Sequence, residues 1–195
     1  MADIKLDMNS TALVIADFYA DAMSTLPHAL ERGVVEKAQA LQEAARGVGG
    51  MLIYTATVFR DGYPEISPNN KTFSERKSSG QPAVSDPIAL IHPQVAPRPA
   101  DPVVGKHRVN PFYQTDLEMI LRANGVETLV LFGYATSGVI LSMVRYGADA
   151  DYRLVVVEDC CVDRETEVHD FLINRIFPRQ TTIASYAEVI KAIRA

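Results

Sequence analysis

Cysteine is scarce here: the 195 residues hold two, Cys160 and Cys161, and these are neighbours. Adjacent cysteines rarely form a relaxed disulfide, so a disulfide-stapled secreted scaffold is excluded and a reducing, cytoplasmic setting is expected. Long hydrophobic runs are also missing. The longest, residues 128–132 and 154–157, fall far short of the roughly 18 residues a membrane-spanning helix needs, so no membrane partner is expected. Basic charge is not in surplus: 19 Lys and Arg face 24 Asp and Glu, a net charge of -5, which argues against nucleic acid as a partner. The opening MADIKLDMNS lacks a basic start followed by an apolar stretch, so no secretory signal is expected. What is present, 48% hydrophobic and 22% charged residues, suits a globular chain, and the length predicts one domain over residues 1–195.

Short apolar runs alternate with helical patterns, the signature of an α/β protein with a parallel sheet. Strands are predicted at residues 12–15, 51–58, 103–104, 128–132, 154–157 and 181–183. Runs that are apolar throughout are expected to be covered on both faces. Between the first two, Leu30, Val34, Ala38, Leu41 and Ala45 make one helical stripe, and the glycines of residues 47–50 read as a helix stop. Thr115 with Glu118, and Ser185 with Glu188, have the spacing of capping boxes, and Asn124-Gly125 marks a helix end.

Residues 60–105 stand apart, with 8 of the 11 prolines. A loop of this length in a compact domain is uncommon and is usually functional. Tyr63, Ile66, Phe73 and Ile91 supply apolar anchors that a linker would not need, which predicts an ordered lid or an oligomer contact.

In open parallel sheets the ligand crevice lies beyond the carboxyl ends of the strands. The polar residues just past those ends are Asp17, Arg60, Lys106, Thr136, Ser137 and Asp159. An acid, two bases and two hydroxyls on one rim suit a small anionic or amide ligand. Cys160 and Cys161, in an acidic stretch, read as packed core and not as reactive thiols. His28, His92, His107 and His169 show no metal-ligand spacing, so neither a metal nor another cofactor is expected.

The stretches TALVIADFYADAM, GKHRVNPFYQTDLEMILRANGVETLVLFG and GYATSGVILSMVRYGADADYRLVVVEDCCVD resemble, in order and spacing, the isochorismatase-like hydrolases, also called the cysteine hydrolase superfamily. The resemblance covers nearly the whole chain. It implies a Rossmann-like three-layer sandwich with a six-stranded parallel sheet, a homodimer or homotetramer, and a triad of aspartate, lysine and cysteine. The first two fall on Asp17 and Lys106. The cysteine position, six residues beyond Gly133, is Val139, which offers neither nucleophile nor proton. Isochorismatases proper carry glycine there, so the chain departs from them too. The resemblance also implies a cis peptide at Tyr134-Ala135.

Two readings follow. In the first, the chain is a metal-independent hydrolase of a small carboxylated, amide or vinyl-ether substrate, with Asp17 and Lys106 as catalytic residues in non-covalent acid–base chemistry. Tyr134, Ala135, Thr136, Ser137 and Gly138 then line the substrate, the amides of residues 137–139 hold an anion, and Arg60 and Arg108 bind a carboxylate. In the second, loss of the nucleophile leaves a non-catalytic ligand-binding or assembly protein.

Overall fold

The computed structural model describes residues 4–195. Six strands, β1 (Thr11–Ala16), β2 (Met51–Thr57), β3 (Val103–Lys106), β4 (Thr128–Tyr134), β5 (Arg153–Val162) and β6 (Thr182–Ala184), form one sheet in the order β3-β2-β1-β4-β5-β6. Every pairing is parallel. All six residues of β1 are buried, so both faces of the central strand are covered, as its unbroken apolar run requires.

The helices are α1 (Ala20–Thr25), α2 (Pro27–Glu31), α3 (Val34–Gly47), α4 (Lys71–Ser78), α5 (Leu117–Ala123), α6 (Leu141–Asp149), α7 (Thr166–Phe171) and α8 (Tyr186–Ile193). The predicted stripe holds in α3, where Val34, Ala38, Leu41 and Ala45 are fully buried. Leu30 leaves it. Gly33 takes φ 58°, which ends α2 and starts α3 on a new axis, and Leu30 is exposed. Ser185 and Glu188 make the predicted capping box on α8. Thr115 and Glu118 do not: α5 starts after Asp116, Thr115 accepts from the Leu117 amide, and Glu118 pairs with Arg122 one turn on.

Strand β5 runs well past the predicted end. Its register against β4 jumps from Leu131 opposite Val156 to Gly133 opposite Cys161, a bulge that resumes the pairing after several unpaired residues. Asp159, Cys160 and Cys161 therefore lie within the strand and not beyond its end.

The proline-rich stretch is ordered by the expected anchors. Phe59, Tyr63 and Ile66 are buried in a small cluster of their own, with Phe73 and Ala83 against it. The sequence pattern predicts no helix here, yet α4 forms, capped by Asn70, whose side chain accepts from the Phe73 amide. Farther on, the segment is sewn to the exit of β1. Ile91 bridges Tyr19 in antiparallel fashion and the His92 amide donates to the Phe18 carbonyl at 2.9 Å.

Candidate active site

Asp17 follows directly on β1. Its backbone is left-handed, at φ 49°, a region that aspartate tolerates better than most residues. The carboxylate is almost wholly enclosed. Oδ1 accepts from the Thr55 hydroxyl at 3.1 Å, and Oδ2 accepts from the Thr57 hydroxyl at 3.2 Å and from Lys106 Nζ at 2.7 Å. Lys106, at the end of β3, is 1% exposed. Its ammonium spends its three protons on Asp17, the Thr57 hydroxyl at 2.6 Å and the Arg108 carbonyl at 3.2 Å. Three adjacent strand ends thus build one charged unit. Only Oδ1 of Asp17 retains spare acceptor capacity.

Gly133 makes this approach possible. A Cβ there would stand 1.9 Å from the Ala16 carbonyl oxygen, so no other residue lets β4 pass so close to the residue before Asp17. The chain then turns through a cis Tyr134-Ala135 peptide into a π-helical turn, Thr136–Ile140, that leads into α6.

Asp17, Lys106, Tyr134, Ala135, Gly138 and Val139 share the wall of a cavity of about 320 Å³. Depressions of about 470 and 490 Å³ lie elsewhere, one at the amino ends of β4 and β5 and one between α3 and α8. Size does not select the site; position at the carboxyl ends of the strands does. Tyr19 and Thr57 also line the cavity. The Tyr19 hydroxyl accepts from the Thr57 amide at 2.8 Å, and burial beside the Asp17 carboxylate holds this phenol well above its ordinary range, so it stays neutral.

Several expected site residues are elsewhere. Arg60 pairs with Glu65 at the surface, its side chain 70% exposed. Arg108 donates to the carbonyls of His107 at 2.6 Å and Glu65 at 3.0 Å and stays out of the cavity wall. Asp159 receives the Tyr186 amide at 2.7 Å and lies 3.5 Å from Lys37, where it fastens α8 to β5. Thr136 is fully buried and turns its hydroxyl inward to the Val162 carbonyl. The Ser137 amide donates to Asp163 Oδ2 at 2.6 Å and the Gly138 amide to the Ala135 carbonyl at 3.0 Å. Those two amides are therefore engaged and are not an anion hole.

In their place the structure brings residues that strand-end reasoning passes over. Thr72, Phe73 and Arg76 of α4, with Gln81 and Leu90, complete the wall from the proline-rich segment. Asn70 before a run of Lys, Thr, Phe, Ser, Glu and Arg was the available signal for that helix.

Behind the loop lies a polar cluster assembled from distant histidines. His28 and His169 meet edge-on, ring centres 4.7 Å apart, and Arg32 Nη1 donates to both Nε2 atoms at 2.9 and 2.8 Å. Its Nη2 donates to Glu158. With a guanidinium between them, these rings do not present a cation site. Burial, then Arg32, lowers the His28 pKa, and the same causes with His28 bring His169 down to about 4. Both cysteines are fully buried in β5. Burial pushes the Cys160 thiol far up and the Cys161 thiol to about 12, so neither is an available nucleophile.

Comparison with known proteins agrees with this arrangement of strands. The isochorismatase domain model matches residues 11–188. An uncharacterized isochorismatase family protein of Bacillus subtilis, YwoC, is 27% identical over 194 residues, 98% of this chain and 100% of that protein. Maleamate amidohydrolase of Pseudomonas putida is 25% identical over 160 residues, 82% of this chain and 74% of that protein. The structure of an isochorismatase family protein from Burkholderia thailandensis superposes with a TM-score of 0.80 at 26% identity, covering 98% of each chain. On the strength of the domain match and a six-stranded parallel sheet shared with its structural neighbours, the chain belongs to the isochorismatase family.

Proposed function

We propose that this protein is a hydrolase of a small substrate that works without a covalent cysteine intermediate and without a metal. The observation that carries the reading is the cavity wall itself. It joins a buried Asp17 and Lys106 to Val139, and neither cysteine of the chain reaches it. A thioester route has no sulfur to use at this place. Hydrolysis needs one water, whose hydroxyl goes to one fragment and whose proton goes to the leaving group as the C–O or C–N bond breaks. Oδ1 of Asp17 takes that proton from water and delivers it to the leaving atom, while Lys106 and Thr57 hold Oδ2 still. Val139 also supports the rival reading, a pocket that binds without turnover.

A panel of vinyl ethers, amides and esters tests the two, maleamate among the amides because a relative bears that activity in its name. Turnover that survives a chelator and disappears in Asp17→Asn supports the hydrolase. Saturable binding with no turnover across the panel transfers the pocket to the rival.

A further inference from the structure

Among the cations of this cavity one is unspent. Lys106 has committed its three protons, whereas the Arg76 side chain makes no hydrogen bond and no ion pair among the described residues, and its Nε is buried without a partner. Neither carboxylate of the same wall pairs with it among the described residues: Asp17 is held by Lys106, and the hydrogen bond of Asp21 is with the Ala22 amide at 2.8 Å. A donor without an acceptor is costly, and an arginine that lines a cavity with no partner of its own is free for an acceptor that arrives with a ligand. Elsewhere the wall offers Phe73, Leu90, Val109 and Val139 as an apolar surface, beside the polar Thr72 and Gln81.

We infer that Arg76 is the anion-recognition residue of the cavity, binding the carboxylate of a small substrate through its guanidinium. The inference rests on the cavity being the substrate site and narrows the substrate to a small monocarboxylate with an apolar body. The guanidinium edge is a planar fork that matches both carboxylate oxygens, which a lysine ammonium does not. Arg76 arrives on α4, whereas Asp17 and Lys106 stand at the ends of β1 and β3. Recognition and proton transfer therefore come from different parts of the chain, and the anion need not compete with Asp17 for Lys106.

The test is calorimetric binding of two acid and amide pairs of matched size, maleamate with maleamide and benzoate with benzamide. Wild type is expected to hold at least one acid about tenfold or more tightly than its amide. Arg76→Gln is expected to bring that acid to the level of the amide and leave the amide unchanged, and Arg76→Lys to restore part of the preference. Circular dichroism confirms the fold of each variant. A preference that survives Arg76→Gln, or no preference for any acid in wild type, overturns the inference. The Asp17→Asn variant separates it from the hydrolase reading. Turnover retained there defeats the proposed chemistry, while a carboxylate preference that depends on Arg76 stands or falls on binding alone.

Discussion

Thr136 and His169, 33 positions apart, share a 2.9 Å hydrogen bond beneath the loop that leads to Val139. Arg32 occupies Nε2 of the imidazole, so the proton of neutral His169 resides on Nδ1 and is donated to the Thr136 hydroxyl. That hydroxyl in turn donates to the Val162 carbonyl at 3.1 Å. Every donor in this relay has one acceptor, and the relay runs in one direction. A second proton on His169 would have to displace Arg32.

Acid should therefore loosen the protein before its carboxylates titrate. His169 has a folded pKa of about 4, below the ordinary histidine value, so the unfolded chain binds the extra proton first as pH falls. The stabilisation is complete above about pH 6.5 and is lost on descending to 4, at a cost of about 3 kcal/mol. Burial, then Arg32 and His28, oppose the proton while Asp170 and Asp163 favour it, and opposition wins. Melting temperatures of wild type and His169→Asn, measured across this range, should converge toward the acid end. Parallel curves would refute the assignment.

Asp17→Asn should lower turnover by at least about a hundredfold, the loss expected for a general acid or base, in a chain that remains folded. Lys106→Met alone strands a buried carboxylate and should cost about 3–5 kcal/mol of stability. The double variant should be more stable than the sum of the two predicts, since the charges of the pair leave together. A double-mutant cycle by chemical denaturation measures this, and strict additivity would contradict the geometry at 2.7 Å.

Thiol chemistry should be confined to what is introduced. Iodoacetamide is expected to leave Cys160 and Cys161 unmodified in the folded protein, because both are buried and their thiolates strongly disfavoured. Val139→Cys places sulfur in the cavity wall with Lys106 and should take up one label. Intact-mass spectrometry reads both outcomes. Native labelling without unfolding, or an inert Val139→Cys, would count against this description of the cavity.

Gly133→Ala should be among the most damaging single-methyl additions in the chain. The new Cβ meets backbone, not a movable side chain, at 1.9 Å, and the residue sits at φ 138°. A loss of about 3 kcal/mol or more is expected, together with lost turnover, because the displaced Ala16 carries Asp17 with it. A near-native melt would show that the two strands do not need this close approach.

The sheet was legible because most of its strands are apolar runs, and Asp17 and Lys106 stood out from the other polar residues at strand ends because the family resemblance falls on them. The end of β5 was not. Its last residues, Cys161 and Val162, return to the ladder only after a bulge, and nothing in a pattern of alternation announces a bulge. Arg76 escaped for a different reason. It lies on a short helix with no fully buried residue, so the hydrophobic period that reveals α3 has no counterpart in α4. Arg60 satisfied the positional rule and Arg108 lies two residues beyond Lys106, but position near a strand end does not fix direction, and Glu65 draws both outward through its carboxylate and carbonyl.

The order β3-β2-β1-β4-β5-β6 also sets when the charged site can exist. Asp17, Thr57 and Lys106 reach across 89 residues of chain and meet only after β2 has settled between β1 and β3. Val139 and its loop belong to the other half of the sheet, joined through β4. Loop closure over such separations is slow relative to local helix formation. The Asp17 carboxylate and the Lys106 ammonium can leave water together only once β1, β2 and β3 lie side by side, so the charged site is a property of the assembled flank and not of any one strand.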